Sequence, residues 1–159
     1  MMRGRASSDR RRAAVDVGHE LFLFRYNNVM TEQAPARPKP LEWISSAKKD
    51  LKALPDEVVD VFGYALHLAQ IGQKHEQAKP LRGFGSAGVL EVVEDWRGST
   101  YRAVYTVRYV ARVFVLHVFQ KKSKTGVATP KPDLDLIKGR LKAAERRAKE
   151  LEDEQTQRR

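Results

Sequence analysis

Between Trp96 and Pro132 the chain carries Arg97, Arg102, Arg108, Arg112, Lys121, Lys122, Lys124 and Lys131 and not one Asp or Glu, although acids are frequent on both sides. Cations segregated in this way are suited to holding phosphate. Tyr101, Ala103, Tyr105, Val107 and Tyr109 alternate with Arg102, Val104, Thr106 and Arg108, the period of two that sends successive side chains to opposite faces of a strand. Residues 112–119 are almost continuously β-branched or aromatic and read as a buried partner strand. A link around Tyr109 and Val110 makes the two an antiparallel hairpin whose exit delivers Lys121, Lys122 and Lys124 to one end of a sheet. Two nearby residues can carry a proton. Glu91 would act as a base if its side chain faces Arg102, and reads equally well as a solvent-facing residue or as the ion-pair partner of a strand arginine. His117 shares strand parity with Val113, Val115 and Phe119, so a packed histidine is favoured over a catalytic one. The tyrosines at 101, 105 and 109 could stack on bases, but their uncharged face is read as core.

The elements that position these residues fit one domain. A chain of 159 residues can bury a core without disulfides or metals, and it contains no Cys, which fits a reducing cytoplasm. No apolar run approaches the ~20 residues of a membrane helix. The net charge of +10 points to an acidic partner, RNA or an acidic protein, with plain solubility as the alternative. The glycines of 78–88 lack the context of a nucleotide loop, and His67 and His75 lack the companions of a metal site, so no cofactor and no metal are expected.

In order, residues 1–38 read as a poorly ordered basic and Pro-rich leader, broken by an apolar patch at 21–26 that would suit docking. A native start at Met30 is the other explanation of this leader. Residues 41–44 read as a first strand, after which Ser45 or Ser46 caps a helix through its hydroxyl. Apolar residues from Leu51 to Ala69 follow helical spacing, and Pro55, Asp56 and Glu57 suit the first turn of a second helix, so a helical hairpin ending at Gly72 is predicted. The segment 78–88, with Lys79 and Arg82, is a Gly-rich connection. Residues 89–96 form a strand turned by Arg97, Gly98 and Ser99 into the next. From Asp133, Leu134, Ile137, Leu141, Ala144, Ala148 and Leu151 recur at threes and fours, an amphipathic helix, with 151–159 as a charged tail. The domain proper is 39–150.

The strings KPLRGF at 79–84, GVLEVVED at 88–95, YRAVYTV at 101–107, VFVLHVFQKKSK at 113–124 and the Thr129-Pro130 pair, in this order, resemble the RelE/HigB-like superfamily of toxins, especially its phage-derived branch, over roughly residues 40–148. The resemblance implies an α+β fold, RelE-like, with a small, mainly antiparallel sheet, a helical hairpin and a C-terminal helix. It implies the toxin of a toxin–antitoxin pair, an endoribonuclease acting on mRNA either free or on the ribosome, neutralised by a cognate antitoxin. Arg102 matches the family's strand arginine, which holds the scissile phosphate. Lys121 and Lys122 match the basic pair that closes the last strand. Where relatives place lysines on the second strand, this chain has Glu91 and Glu94, and it lacks their tyrosine after the basic pair. Metal-independent cleavage needs a group to take the 2′-OH proton, a cation on the phosphate, and a proton for the 5′-oxygen. Arg102 suits the second task, Lys121 or Lys122 the second or third, and Glu91 the first. Lys79, Arg82, Arg97 and Lys124 would bind flanking RNA. The resulting picture has helices on one sheet face and RNA on the other, with Arg102 exposed there. The alternatives are a non-catalytic RNA- or ribosome-binding protein of this fold and a phage-derived module that binds an acidic protein.

Overall fold

A computed structural model of the chain describes residues 37–122 and 128–159. The readings made for the leader up to residue 36, including the docking patch and the start at Met30, lie outside the described residues, as does Lys124.

Strand β1 (Leu41–Trp43) leads into helices α1 (Ala47–Lys52) and α2 (Asp56–Gln70), followed by strands β2 (Lys79–Pro80), β3 (Val89–Trp96), β4 (Ser99–Thr106) and β5 (Val113–Gln120) and helix α3 (Lys131–Gln157). The sheet runs β1-β5-β4-β3-β2. β1 is parallel to β5 and the other pairings are antiparallel. The expected α+β class, three-stranded meander, helical hairpin and C-terminal helix are all present. Pro55 precedes α2, with Asp56 and Glu57 in its first turn, where carboxylates meet the positive end of the helix dipole. At the other end Gly72 adopts φ +77°. Its N–H donates to the Ala69 carbonyl, and that of Gln73 to the Leu68 carbonyl, the paired bonds of a Schellman cap. The cap expected at α1 is not made. The Ser46 hydroxyl donates to Asp50 at 2.6 Å instead. β2 was missed in the sequence because a two-residue strand containing Pro80 has no period to detect. α3 begins at Lys131 rather than Asp133 and continues through most of the segment read as a tail.

Helices cover both faces of the sheet, which corrects the expectation of an open RNA-binding face. On one side Val92, Tyr101, Ala103, Tyr105, Val113 and Val115 pack with Leu51, Val58, Phe62 and Ala65 of the helical hairpin. On the other, Val89, Val104, Phe114 and Leu116 pack with Ile137, Ala144 and Ala148 of α3. An amphipathic helix must bury its apolar stripe, and these strand residues supply the surface. Tyr101 and Tyr105 are core, as read, and burial pushes the Tyr105 hydroxyl up to about 12. Tyr109 is not on their face. It meets Phe114 edge-on at 5.1 Å on the α3 side.

Parity also fails in β5. Val104 faces His117 but Tyr105 faces Val115, so Leu116 is an extra residue in the ladder, a β-bulge. The bulge turns His117 to the α3 side with Leu116 and Phe119 and away from Val113 and Val115. The β3–β4 connection is a two-residue turn with Arg97 at φ +48° and Gly98 at φ +77°, the type I′ geometry that suits hairpin twist. Asn or Gly is usual at the first position. An arginine there carries a backbone cost of about 1 kcal/mol.

Candidate active site

Neighbouring strands assemble the first group of polar residues. Lys79 is paired with Glu91, and Glu91 with Val104. Arg102 is two residues along β4 on the same face, diagonal to Glu91. Its Nη1 donates to Glu91 Oε2 at 2.8 Å and to Thr129 Oγ1 at 3.0 Å, and the Thr129 hydroxyl donates to Glu91 Oε2 at 3.2 Å. Lys79 Nζ is 3.7 Å from the other carboxylate oxygen, Oε1. Arg102 is 2% exposed and Glu91 5%, whereas the Lys79 side chain is 51% exposed. The expectation of an exposed Arg102 is therefore corrected. Thr129 and the start of α3 lie over this end of the sheet, and the guanidinium is buried because a carboxylate and a hydroxyl pair with it there. Burying such a pair costs about as much as the attraction returns, so packing does not require it. Buried, mutually paired ionisable groups on one face of the sheet mark a candidate site.

A second group lies farther along the sheet. The Lys121 N–H donates to the Thr100 carbonyl at 2.8 Å, and Thr100 is four residues from Val104, the partner of Glu91, or ~13 Å at the usual strand rise. Lys121 and Lys122 are thus not gathered onto Glu91, although Lys121, opposite Thr100, is only two residues, ~7 Å, along the sheet from Arg102. They sit instead beside the β3–β4 turn, where Gln120 Nε2 donates to Ser99 Oγ at 3.1 Å. Arg97, exposed at that turn, lies over the Trp96 ring at 4.4 Å. Arg82 is exposed on the connection from β2 to β3. Arg108 and Arg112, read as solvated charge, pair with Glu145 at 3.2 Å and with Glu42 at 3.0 Å. Among the described residues no three His, Asp or Glu side chains converge as metal ligands, and no helix is long and apolar enough to cross a membrane.

Sequence reasoning missed Thr129 as a contact of Arg102 and Glu91, since 38 residues separate it from Glu91 and only the Thr-Pro string marked it. It also missed what surrounds His117. Nε2 is 2.9 Å from Asp133 Oδ1, and Nδ1 is 3.2 Å from Arg140 Nη1. Arginine only donates, so Nδ1 accepts and the proton is on Nε2, shared with Asp133. Arg140 Nη1 also donates to the Leu116 carbonyl at 2.9 Å, and Nη2 to Ser46 Oγ at 3.0 Å. Burial holds the His117 pKa below the usual histidine value, and the bond to Asp133 opposes this only in part. With both nitrogens engaged and the ring stacked on Phe119 at 4.4 Å, His117 fastens α3 to the sheet, the packed role favoured from sequence.

No curated protein matches the chain. Among solved structures, the toxin–antitoxin complex RelBE2 from Mycobacterium tuberculosis is similar over 53% of this chain and 99% of that chain, with 24% identity and a TM-score of 0.37. The phage derived protein Gp49-like family (DUF891) matches residues 49–142, which run from α1 through the sheet and into α3 and include the paired Glu91, Arg102 and Thr129, and the chain belongs to this phage-derived family.

Proposed function

We propose that this protein is a toxin-type, metal-independent mRNA endoribonuclease whose cleavage centre is Glu91, Arg102 and Lys79. One observation carries the reading: the Thr129 hydroxyl accepts a hydrogen bond from Arg102 and donates one to Glu91. A guanidinium and a carboxylate holding a hydroxyl between them polarise it toward losing its proton, the arrangement that a ribose 2′-OH needs before attack. In the reaction the 2′-oxygen bonds to the adjacent phosphorus and its proton passes to Glu91. Arg102 offsets the charge gathering on the phosphate. The bond from phosphorus to the 5′-oxygen breaks, and that oxygen takes a proton from Lys79, the ammonium nearest Glu91. The products are a 2′,3′-cyclic phosphate and a 5′-hydroxyl. Cleavage requires the ribose hydroxyl to take over the position that the Thr129 hydroxyl holds. Lys121, ~7 Å along the sheet from Arg102, and Lys122 would grip the backbone on the side of the phosphate away from Glu91. The toxin reading brings with it a neutralising protein partner and an mRNA substrate, free or on the ribosome.

The burial of Arg102 and Glu91 favours a second reading, in which the exposed cations bind RNA that is not cut. Mapping mRNA 5′ ends after brief induction in bacteria separates the two. Wild type should create new ends within coding regions. Glu91→Gln, which keeps an acceptor for Arg102 but takes up no proton, should lower them about 10²–10⁴-fold. Unchanged ends with folded wild type that still binds RNA would leave the binding reading in place.

A further inference from the structure

Hairpin twist accounts for the left-handed β3–β4 turn, but neither it nor charge pairing explains an arginine at its first position. The Arg97 backbone occupies the left-handed region at a turn position that favours Asn or Gly. Two carboxylates, Glu94 and Asp95, precede it in the same hairpin, yet among the described residues no ion pair includes Arg97. Asp95 accepts the Thr100 hydroxyl at 2.5 Å instead. The guanidinium rests on Trp96, a ring that itself packs against the buried core. Trp96 is therefore an anchored base plate, Arg97 is the layer above it, and the outer face of the guanidinium is open to solvent. Lys121 and Lys122 lie at the same end of the sheet, with Lys121 joined to Thr100 and Gln120 to Ser99.

Building on the RNA reading above, we infer that Trp96 and Arg97 form a stacking site for an unpaired base of single-stranded RNA, with Lys121 and Lys122 on the phosphates beside it. A planar cation held flat on an indole presents a π-face of fixed orientation to the next ring, and guanidinium planes are established partners for splayed bases. The site is indifferent to sequence, because every base has such a face. It also sits away from Glu91, so that it would fix the register of the strand, not take part in the chemistry.

The test is binding of the full chain to a short, unpaired 2′-O-methyl RNA carrying 2-aminopurine, which the proposed nuclease cannot cut. Wild type should quench the 2-aminopurine on binding. Arg97→Lys retains the charge and removes the planar fork. It should bind about tenfold more weakly, with the quench lost, whereas Arg146→Lys, on the exposed face of α3, should match wild type. Equal affinity and quench for Arg97→Lys and wild type, an equal loss in Arg146→Lys, or no RNA binding by wild type would overturn the inference. Binding of an acidic peptide in place of RNA would assign the patch to a protein partner and overturn it too. Failure of the nuclease reading looks different: no new mRNA ends in cells, with the Arg97-dependent quench intact.

Discussion

Removing the Arg102 side chain would leave the Glu91 carboxylate buried with only the Thr129 hydroxyl and a lysine 3.7 Å away. An uncompensated buried charge costs about 3–5 kcal/mol, so Arg102→Ala should unfold at a markedly lower urea concentration than wild type. The double variant Arg102→Met/Glu91→Leu should recover most of that loss, since two apolar groups of similar volume need no desolvation. A urea series on wild type, Arg102→Met, Glu91→Leu and the double variant measures the coupling, and a benign Arg102→Ala would mean that the pair is not buried in solution. Because of this coupling, lost toxicity in Arg102→Ala says little about chemistry, and Glu91→Gln is the cleaner probe. Strand alternation identified Arg102 and admitted Glu91 as its partner. It gave Arg102 an exposed face, which the structure overturns, because a charged side chain is buried only when a third group covers it, and that group, Thr129, lies far along the chain.

For helix α3, the relevant chemistry is its attachment to β5 through His117. In the folded protein burial keeps this imidazole neutral below the ordinary histidine value of 6.5, while the unfolded chain takes up a proton near that value. Over that interval the unfolded state binds more protons, so stability rises with pH there. The contribution of neutral His117 should be complete above about pH 6.5 and should diminish as the pH falls through the lower folded value. Protonation would put a donor at Nδ1 against Arg140. Urea midpoints across this range should fall on the acid side in wild type, and more steeply than in His117→Gln. The apolar stripe of α3 was legible from its spacing. The bulge that brings His117 to meet it was not, because one extra residue in a ladder leaves no mark in a continuous apolar run.

At the scale of the molecule, the +10 charge would make the proposed binding to RNA sensitive to salt. If Lys121 and Lys122 each neutralise a phosphate, replacing both with Ala should weaken RNA binding similarly for all sequences and reduce the slope of log K against log salt by about 1.4. An unchanged slope would remove them from the interface. Apart from β2, the elements and their order were readable from periodicity and turn residues. The two-sided covering of the sheet was not, since a helix with one apolar stripe does not reveal which face it will choose. The layout also has a consequence for how the protein is made. β1 is held by β5 and by an ion pair between Glu42 and Arg147, which is 105 residues farther on. Glu91 likewise meets Thr129 only after the last strand exists. Contacts this distant in sequence form late, so while the chain is still emerging during synthesis Glu91 and Arg102 lack the Thr129 hydroxyl that covers them in the finished fold.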